Sequence, residues 1–300
     1  MNAKKIKKPD FLIIGAQKCG TTWLWQMIDQ HPQTALPLKK EIHYFGGSEN
    51  YQKGKQWYYD HFTNLDETKI TGEASTTYLF DEVPFWYNPS KDLIIDRSLP
   101  SIPDLIKAEL PDVKLIAILR NPVSRAISAY NHLMRRIAIK KRSYDEGISP
   151  ALKIETVARS FPKNRILEYG FYSKYLKRWF AAIPRDRFKI FIFEEDLLKT
   201  PSKMVFNSYQ FLGIAPDFKP KFPQKAFNKS WGRTRIVALY YMPNWLKTPA
   251  MNRGLNFLDK YDFLKKIYIR QRDLDFLKDA YKNEKKNLED LLGRPIPWDI

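Results

Sequence analysis

Pro9-Asp10-Phe11-Leu12-Ile13-Ile14-Gly15-Ala16-Gln17-Lys18-Cys19-Gly20-Thr21-Thr22-Trp23-Leu24 decides how this chain is read. Phe11 to Ile14 is a short apolar run that stops at a glycine, as a buried strand does. Gly20 follows five residues on, then two threonines, and then Trp23, Leu24, Met27 and Ile28 at the spacing of one helix face. Strand, tight loop and helix start make a cradle for an anion. The helix N-terminus points unpaired backbone N–H groups at one spot, and glycines let a charged group come close to the backbone. In nucleoside-triphosphate loops of the form G-x-x-x-x-G-K-[ST], lysine follows the second glycine and the next hydroxyl holds Mg²⁺. Here Thr21 takes that place and the lysine lies inside the loop as Lys18, where a cation would sit beside the first phosphate of a bound nucleotide and its leaving bond. Taken alone, the loop fits a generic P-loop or an ordinary strand–turn–helix as well.

Val113-Lys114-Leu115-Ile116-Ala117-Ile118-Leu119-Arg120-Asn121-Pro122 is the second signal. An apolar, strand-like run ends at an arginine, and a proline suited to the first helical turn opens the next helix. The spacing puts Ala126, Tyr130, Leu133, Met134 and Ile137 on one buried stripe, with Ser124 and Ser128 one turn apart elsewhere. An arginine at the C-terminal edge of a strand can take a phosphate bidentately, in the crevice where α/β sheets bind ligands. Pairing with a neighbouring carboxylate is the plainer role.

Gly15 to Trp23, with Arg120 and Ser128 in order behind them, resemble the sulfotransferases that use 3′-phosphoadenosine 5′-phosphosulfate (PAPS), in their bacterial carbohydrate and heparan sulfate branch. The resemblance implies that Lys18 contacts the bridge between phosphate and sulfate. It gives Gly20, Thr21 and Thr22 to the 5′-phosphate and Arg120 with Ser128 to the 3′-phosphate, and Cys19 and Trp23, in the same loop, are further cofactor-binding candidates. Geometry alone favours Ser124; the resemblance picks Ser128. Tyr172, in the family-like Tyr-Gly-Phe-Tyr-Ser-x-Tyr-Leu-x-x-Trp stretch, falls near the nucleotide by the same likeness, and Arg233 and Arg235 lie in a cation-rich loop, Asn228 to Arg235, where the family closes over the phosphates.

Between these motifs lies Leu36 to Phe45, followed by Gly46-Gly47. If the segment is extended, Glu41 and His43 face one side and Ile42 the other. Transfer to a hydroxyl or amine needs a base for the acceptor proton, and a carboxylate beside a cationic pocket serves. The resemblance assigns the base to Glu41, with His43 as the rival because the phenol and steroid sulfotransferases use a histidine. The plainer roles are a surface carboxylate balancing Lys39 and Lys40, and a half-buried wall residue.

Further segments are less specific. Asn50 to Phe62 interleaves aromatic residues with lysines, as a single-strand nucleic-acid platform does, or forms a helix with Trp57 and His61 on a core face; the family's Tyr-x-x-Gly-x-x-Trp-Tyr pattern favours the latter, so no nucleic-acid partner is expected. Lys69 to Phe80 reads as a short strand and polar loop resembling the family's Gly-Glu-x-[Ser/Thr]-Pro-x-Tyr. Thr76 departs from the proline, and Ala74 replaces a lysine of the heparan sulfate enzymes. Residues 81 to 104 read as a long loop and candidate lid over the acceptor. Basic residues crowd 135 to 165, a solvated face or the flank of an acidic acceptor. Phe188 to Phe193 reads as a strand ending in Glu194-Glu195-Asp196, which would hold Mg²⁺ in a kinase, whereas the family has a structural Glu-Asp-Leu there. The terminal helix puts Leu274, Leu277, Tyr281, Leu288 and Leu291 on one side and stops at Gly293.

Composition bounds the rest. The chain carries 51 basic against 33 acidic residues, a net charge of +18, which calls for an anionic partner without choosing one. With 44% hydrophobic and 15% aromatic residues it can build a substantial core. One cysteine and four scattered histidines argue against a disulfide and a structural metal. Met1 to Lys8 is basic without an apolar signal segment, and no run approaches the roughly 20 apolar residues of a membrane span.

The expectation is therefore an α/β, three-layer, P-loop-like fold with a central, mainly parallel sheet flanked by helices, one domain over 1–300 with a C-terminal helical segment at 236–300. The resemblance implies a cytoplasmic sulfotransferase that moves a sulfuryl group from PAPS to a hydroxyl or amine, of a carbohydrate for choice, releases adenosine 3′,5′-bisphosphate and requires no metal. A Mg²⁺-dependent P-loop kinase and a non-enzymatic polyanion-binding module are the alternatives.

Overall fold

The computed structural model describes residues 7–46, 48–80, 100–139, 146–222, 231–255 and 269–300. These residues form two compact units, one from Met1–Asn121, Tyr172–Phe227 and Lys286–Asp299, the other from Pro122–Phe171, Asn228–Lys285 and Ile300.

The first unit is organised by a parallel sheet of four strands in the order β2-β1-β3-β4, where β1 is Phe11–Gly15, β2 Gly72–Ala74, β3 Lys114–Leu119 and β4 Phe188–Ile192. All of β1 and β2 and all of β3 after Lys114 are buried, which is why β1 and β3 read as unbroken apolar runs rather than alternating ones, whereas the short β2, Gly72-Glu73-Ala74, buries a carboxyl group. The outer strand β4 is only partly covered over its first three residues. Gly72 pairs with Phe11, and a Cβ there would lie 2.5 Å from the Phe11 carbonyl oxygen, so β2 sits this close only because the residue is glycine. In the Phe11–Ala74 register all four strands run the same way, so the loops after Gly15, Ala74, Leu119 and Ile192 leave from one edge of the sheet.

Helices surround this sheet: Thr21–Asp29, Ile102–Glu109, Tyr172–Ala182 and Pro201–Leu212. Tyr172, Tyr175, Leu176 and Trp179 are wholly buried, as their helical spacing predicts. Trp57 and His61 do meet, ring centroids 4.7 Å apart, across the end of the short helix Gly54–Tyr59.

The second unit packs Pro122–Ile139 with Ile154–Ser160, Arg233–Tyr241 and Gln271–Tyr281. The predicted stripe of Ala126, Tyr130, Leu133, Met134 and Ile137 is its core, joined by Val157, Ile236, Leu239, Leu277 and Tyr281. Arg125 is also buried there and donates from Nη2 to the carbonyl of Ile166.

Three expectations are corrected. The loop 81–104 does not run to its end: Ser101 caps a helix that starts at Ile102, its Oγ accepting from the Asp104 N–H at 3.4 Å and donating to Asp104 Oδ2 at 2.6 Å. Ser-x-Pro-Asp is a cap followed by a proline in the first turn, a signal present in the sequence; residues 81–99 of the candidate lid lie outside the described set. The cation-rich loop 228–235 gives way at Arg233 to a helix, with 228–230 outside the described residues. The terminal helix is two, Gln271–Tyr281 and Glu284–Leu292.

Candidate active site

The loop after β1 is shaped by backbone conformations that few residues adopt. Lys18 has φ 70° and Gly20 φ 91°, and Gly20 stands immediately before the first helical residue. A glycine accepts this left-handed conformation without steric cost. The N–H groups of Trp23 and Leu24 turn back to the Gly20 carbonyl, at 2.9 and 3.2 Å. Those of Thr21 and Thr22, one turn too early, have no carbonyl of the helix to bond. Thr21 is buried, Thr22 and Trp23 are half-buried, and Trp23 stands against Phe222 with ring centroids 5.7 Å apart. Cys19 is wholly buried, its Sγ 3.8 Å from the Tyr172 hydroxyl.

Arg120 follows β3 at the same sheet edge and reaches this loop. Its Nη1 donates to the Lys18 carbonyl at 3.3 Å, and its guanidinium lies over the Phe193 ring at 4.6 Å. Its Nε is buried and has no hydrogen-bond partner among the described residues, an orphan donor of the kind an anion satisfies. Tyr172 donates its hydroxyl to the Arg120 carbonyl at 2.9 Å, so the residue expected near the nucleotide fixes the arginine's backbone.

The acidic turn after β4 is committed elsewhere. Glu194 accepts from the Asn121 N–H at 3.0 Å on one oxygen and from Trp298 Nε1 at 2.9 Å on the other, and Asp196 accepts from the Ile192 N–H at 2.6 Å. These bonds anchor the chain beside Arg120 and the C-terminal tryptophan, the structural task the resemblance implies. Among the described residues no cluster of three or more His, Cys, Asp or Glu is arranged to hold a metal ion.

Glu41 and His43 meet beside the end of β2, though not as an extended strand would bring them. Both are left-handed, at φ 64° and 54°, and they flank the wholly buried Ile42. The result is still one-sided: His43 Nε2 lies 3.2 Å from Glu41 Oε2, and Lys40 Nζ lies 2.8 Å from Oε1. The plain pairing with Lys40 and the pairing with His43 thus coexist on the two oxygens of one carboxylate. Burial alone would push the Glu41 carboxyl up, but the hydrogen bonds from His43 and Lys40, and their charges, hold it down at about 2. Its side chain keeps 40% of its surface exposed, enough for a substrate to reach it.

Ser128, Arg233 and Arg235 belong to the second unit. Ser128 is half-buried on the helix Pro122–Ile139, and Arg233 is the first residue of its own helix. Arg235 is buried, with its guanidinium 3.8 Å from the centroid of the Trp231 ring. Sequence reasoning passed over Lys40 as more than a neutralising charge, and over Ser75, Thr77 and Phe193; the clue to Ser75 and Thr77 was a hydroxyl-rich run leaving a strand at the binding edge.

A parallel sheet that feeds a glycine-turned loop into a helix N-terminus, with an arginine from the next strand braced against that loop, defines an anion-binding, P-loop-like α/β protein. The chain belongs to the sulfotransferase family, whose sulfotransferase domain matches residues 8–233. It is 31% identical over 216 residues to the bifunctional heparan sulfate N-deacetylase/N-sulfotransferase 2 of Homo sapiens, covering 69% of this chain and 22% of that protein. It is 28% identical over 208 residues to the heparan sulfate glucosamine 3-O-sulfotransferase 5 of Mus musculus, covering 69% of this chain and 54% of the relative. The chain thus spans about a fifth and about half of these relatives. A sulfotransferase from Alicyclobacillus acidocaldarius shares the fold over 97% of this chain and 98% of its own, with a TM-score of 0.62 and 24% identity. No helix among the described residues is long and apolar enough to cross a membrane.

Proposed function

We propose that this chain transfers a sulfuryl group from PAPS to a hydroxyl, or an amine, of a sugar acceptor. The observation that carries the reading is the gathering of the Lys18 loop, Arg120 and the Glu41–His43 pair where neighbouring parallel strands end. The donor supplies a sulfuryl group on a good leaving phosphate. Its 5′-phosphate suits the N–H groups of Thr21 and Thr22 that follow the Gly20 turn, with Lys18 offsetting the charge that develops on the leaving oxygen. Its 3′-phosphate suits the Arg120 guanidinium, whose Nε is still to be satisfied, and Ser128 is the second residue proposed for that group.

Glu41 is the proposed base. With one donor on each oxygen, its carboxylate retains lone pairs for the proton of an incoming O–H or N–H. A carboxyl with so low a pKa is a weak base, and that is tolerable if this transfer resembles phosphoryl transfer, whose loose transition state demands little of the base. Relatives that act on heparan sulfate support a carbohydrate acceptor, while Ala74, wholly buried at the end of β2, leaves this chain without a lysine at that position.

The test is to incubate the protein with PAPS and a panel of oligosaccharides bearing free hydroxyls or free amines. Mass spectrometry is expected to show one acceptor gaining a single sulfo group, and Glu41→Gln to abolish the gain while nucleotide binding persists. An active Gln variant moves the base to His43; no sulfated product with any acceptor contradicts the reading.

A further inference from the structure

Glu41 and His43 hold a left-handed backbone that side chains with a Cβ rarely adopt, so the surroundings must impose it. Those surroundings form a hydrogen-bonded chain. The Glu41 N–H donates to the Ala74 carbonyl at 3.0 Å, the His43 N–H to Ser75 Oγ at 3.0 Å, and Asn50 Nδ2 to the Ile42 carbonyl at 2.8 Å. Ser75 passes its own proton to Glu73 Oε2 at 3.0 Å. Glu73 is wholly buried and accepts two more hydroxyls on Oε1, from Tyr58 at 3.1 Å and Tyr78 at 2.6 Å. Tyr78 in turn receives the Phe45 N–H at 3.4 Å. One buried carboxylate therefore ties down, through two hydroxyls, both ends of the segment that follows Ile42.

The imidazole is held at its other nitrogen. Its Nε2 faces a carboxylate oxygen, which only accepts, so Nε2 carries a hydrogen; Nδ1 lies 2.9 Å from Thr77 Oγ1. In the neutral ring the Thr77 hydroxyl donates to Nδ1, and in the charged ring it accepts. A hydroxyl alone can serve both states, and a Cβ on Gly46 would lie 2.6 Å from this Oγ1, so glycine keeps the room for it. Thr77 falls where the family pattern Gly-Glu-x-[Ser/Thr]-Pro-x-Tyr leaves the residue open.

We propose that Thr77, and Glu73 acting through Ser75, are positioning residues that keep the Nε2–H of His43 on Glu41 and so aim the carboxylate at the acceptor. This rests on the reading of Glu41 as the base. It adds that the base is aimed by a residue of this chain that the family pattern does not require.

The experiment compares wild type with Thr77→Val, which keeps the branched shape and loses the hydroxyl, and Thr77→Ser, which restores it. With nitrogen-labelled histidine, long-range nitrogen–proton NMR reads the tautomer of His43, assigned by its loss in His43→Asn. Wild type and Thr77→Ser are expected to show the Nε2–H form alone, and Thr77→Val a mixture. With an acceptor found as above, kcat of Thr77→Val is expected to fall about tenfold to a hundredfold, less than the roughly 10²- to 10⁴-fold due to a base itself, with the KM for PAPS unchanged and activity recovered in Thr77→Ser. Glu73→Gln and Ser75→Ala, where folded, are expected to lower kcat in the same way. An unchanged tautomer and kcat in Thr77→Val overturn the proposal. The NMR result stands apart from turnover, so a protein that sulfates nothing but shows the tautomer change fails the functional reading and retains only the hold of Thr77 on the His43 ring, while one that sulfates an acceptor with no tautomer or kcat change in Thr77→Val keeps the functional reading and loses the positioning role.

Discussion

Arg120 donates from Nη1 to the carbonyl oxygen of Lys18, across 3.3 Å and 102 positions of sequence. The bond joins the residue that follows β3 to the turn that follows β1. Its arginine is clamped in addition by the Phe193 ring beneath the guanidinium and by the Tyr172 hydroxyl on its carbonyl. A group held this way loses little further freedom when a phosphate arrives, which is how preorganisation converts contacts into affinity.

Gly20→Ala tests the loop. At φ 91° an L-residue is disfavoured by roughly 1–2 kcal/mol, and the new methyl would stand 3.4 Å from Leu197 and Phe193. Denaturant unfolding is expected to show a loss of that order, together with weaker nucleotide binding. Unchanged stability and binding contradict the role given to this glycine.

The pH dependence of Glu41 comes from its depressed pKa. A carboxyl held at about 2 is ionised throughout the ordinary carboxylate range, so kcat/KM for the acceptor is expected to show no acid limb near pH ~4.3. Removing a cation that favours the ionised form raises the pKa, so Lys40→Met is expected to shift any Glu41-controlled limb to higher pH. By linkage, whatever stability the ionised form provides is fully present above the unfolded carboxylate pKa and is lost as pH falls from there through about 2. A wild-type limb centred on the ordinary carboxylate range contradicts this account.

Glu194→Ala tests the structural reading of the acidic turn. It removes the acceptor from two donors, the Asn121 N–H and Trp298 Nε1. Leaving such groups unsatisfied costs about 1–3 kcal/mol each. The thermal midpoint is expected to fall in buffer with or without EDTA. A magnesium-dependent stabilisation lost in Glu194→Ala would revive the kinase alternative.

The sheet is legible in the sequence because β1 and β3 are covered on both faces, so Phe11–Ile14 and Leu115–Leu119 need only be apolar, and the glycine or arginine that stops each run marks the binding edge. Lys18, Arg120 and Glu41, the residues proposed for the chemistry, are exposed by local pattern and family likeness together. Lost to a linear reading is whatever depends on distant partners or local backbone choice. Nothing near Glu41 announces two left-handed residues, because the cause lies in Ala74, Ser75 and Thr77. Arg235 reads as a loop cation, yet it is buried against Trp231 in a helix. The break between Tyr281 and Glu284 falls within an apolar spacing that continues across it.

The most direct measurement is calorimetric titration of wild type and Arg120→Ala with adenosine 3′,5′-bisphosphate and with adenosine 5′-monophosphate. Wild type is expected to prefer the bisphosphate, and Arg120→Ala to lose roughly tenfold to a hundredfold for it, as fits a charge-assisted hydrogen bond worth about 1.5–3 kcal/mol, with little change for the monophosphate. Equal losses for both ligands would mean that Arg120 acts only by holding the Lys18 loop. A wild type that does not bind the bisphosphate would contradict the account.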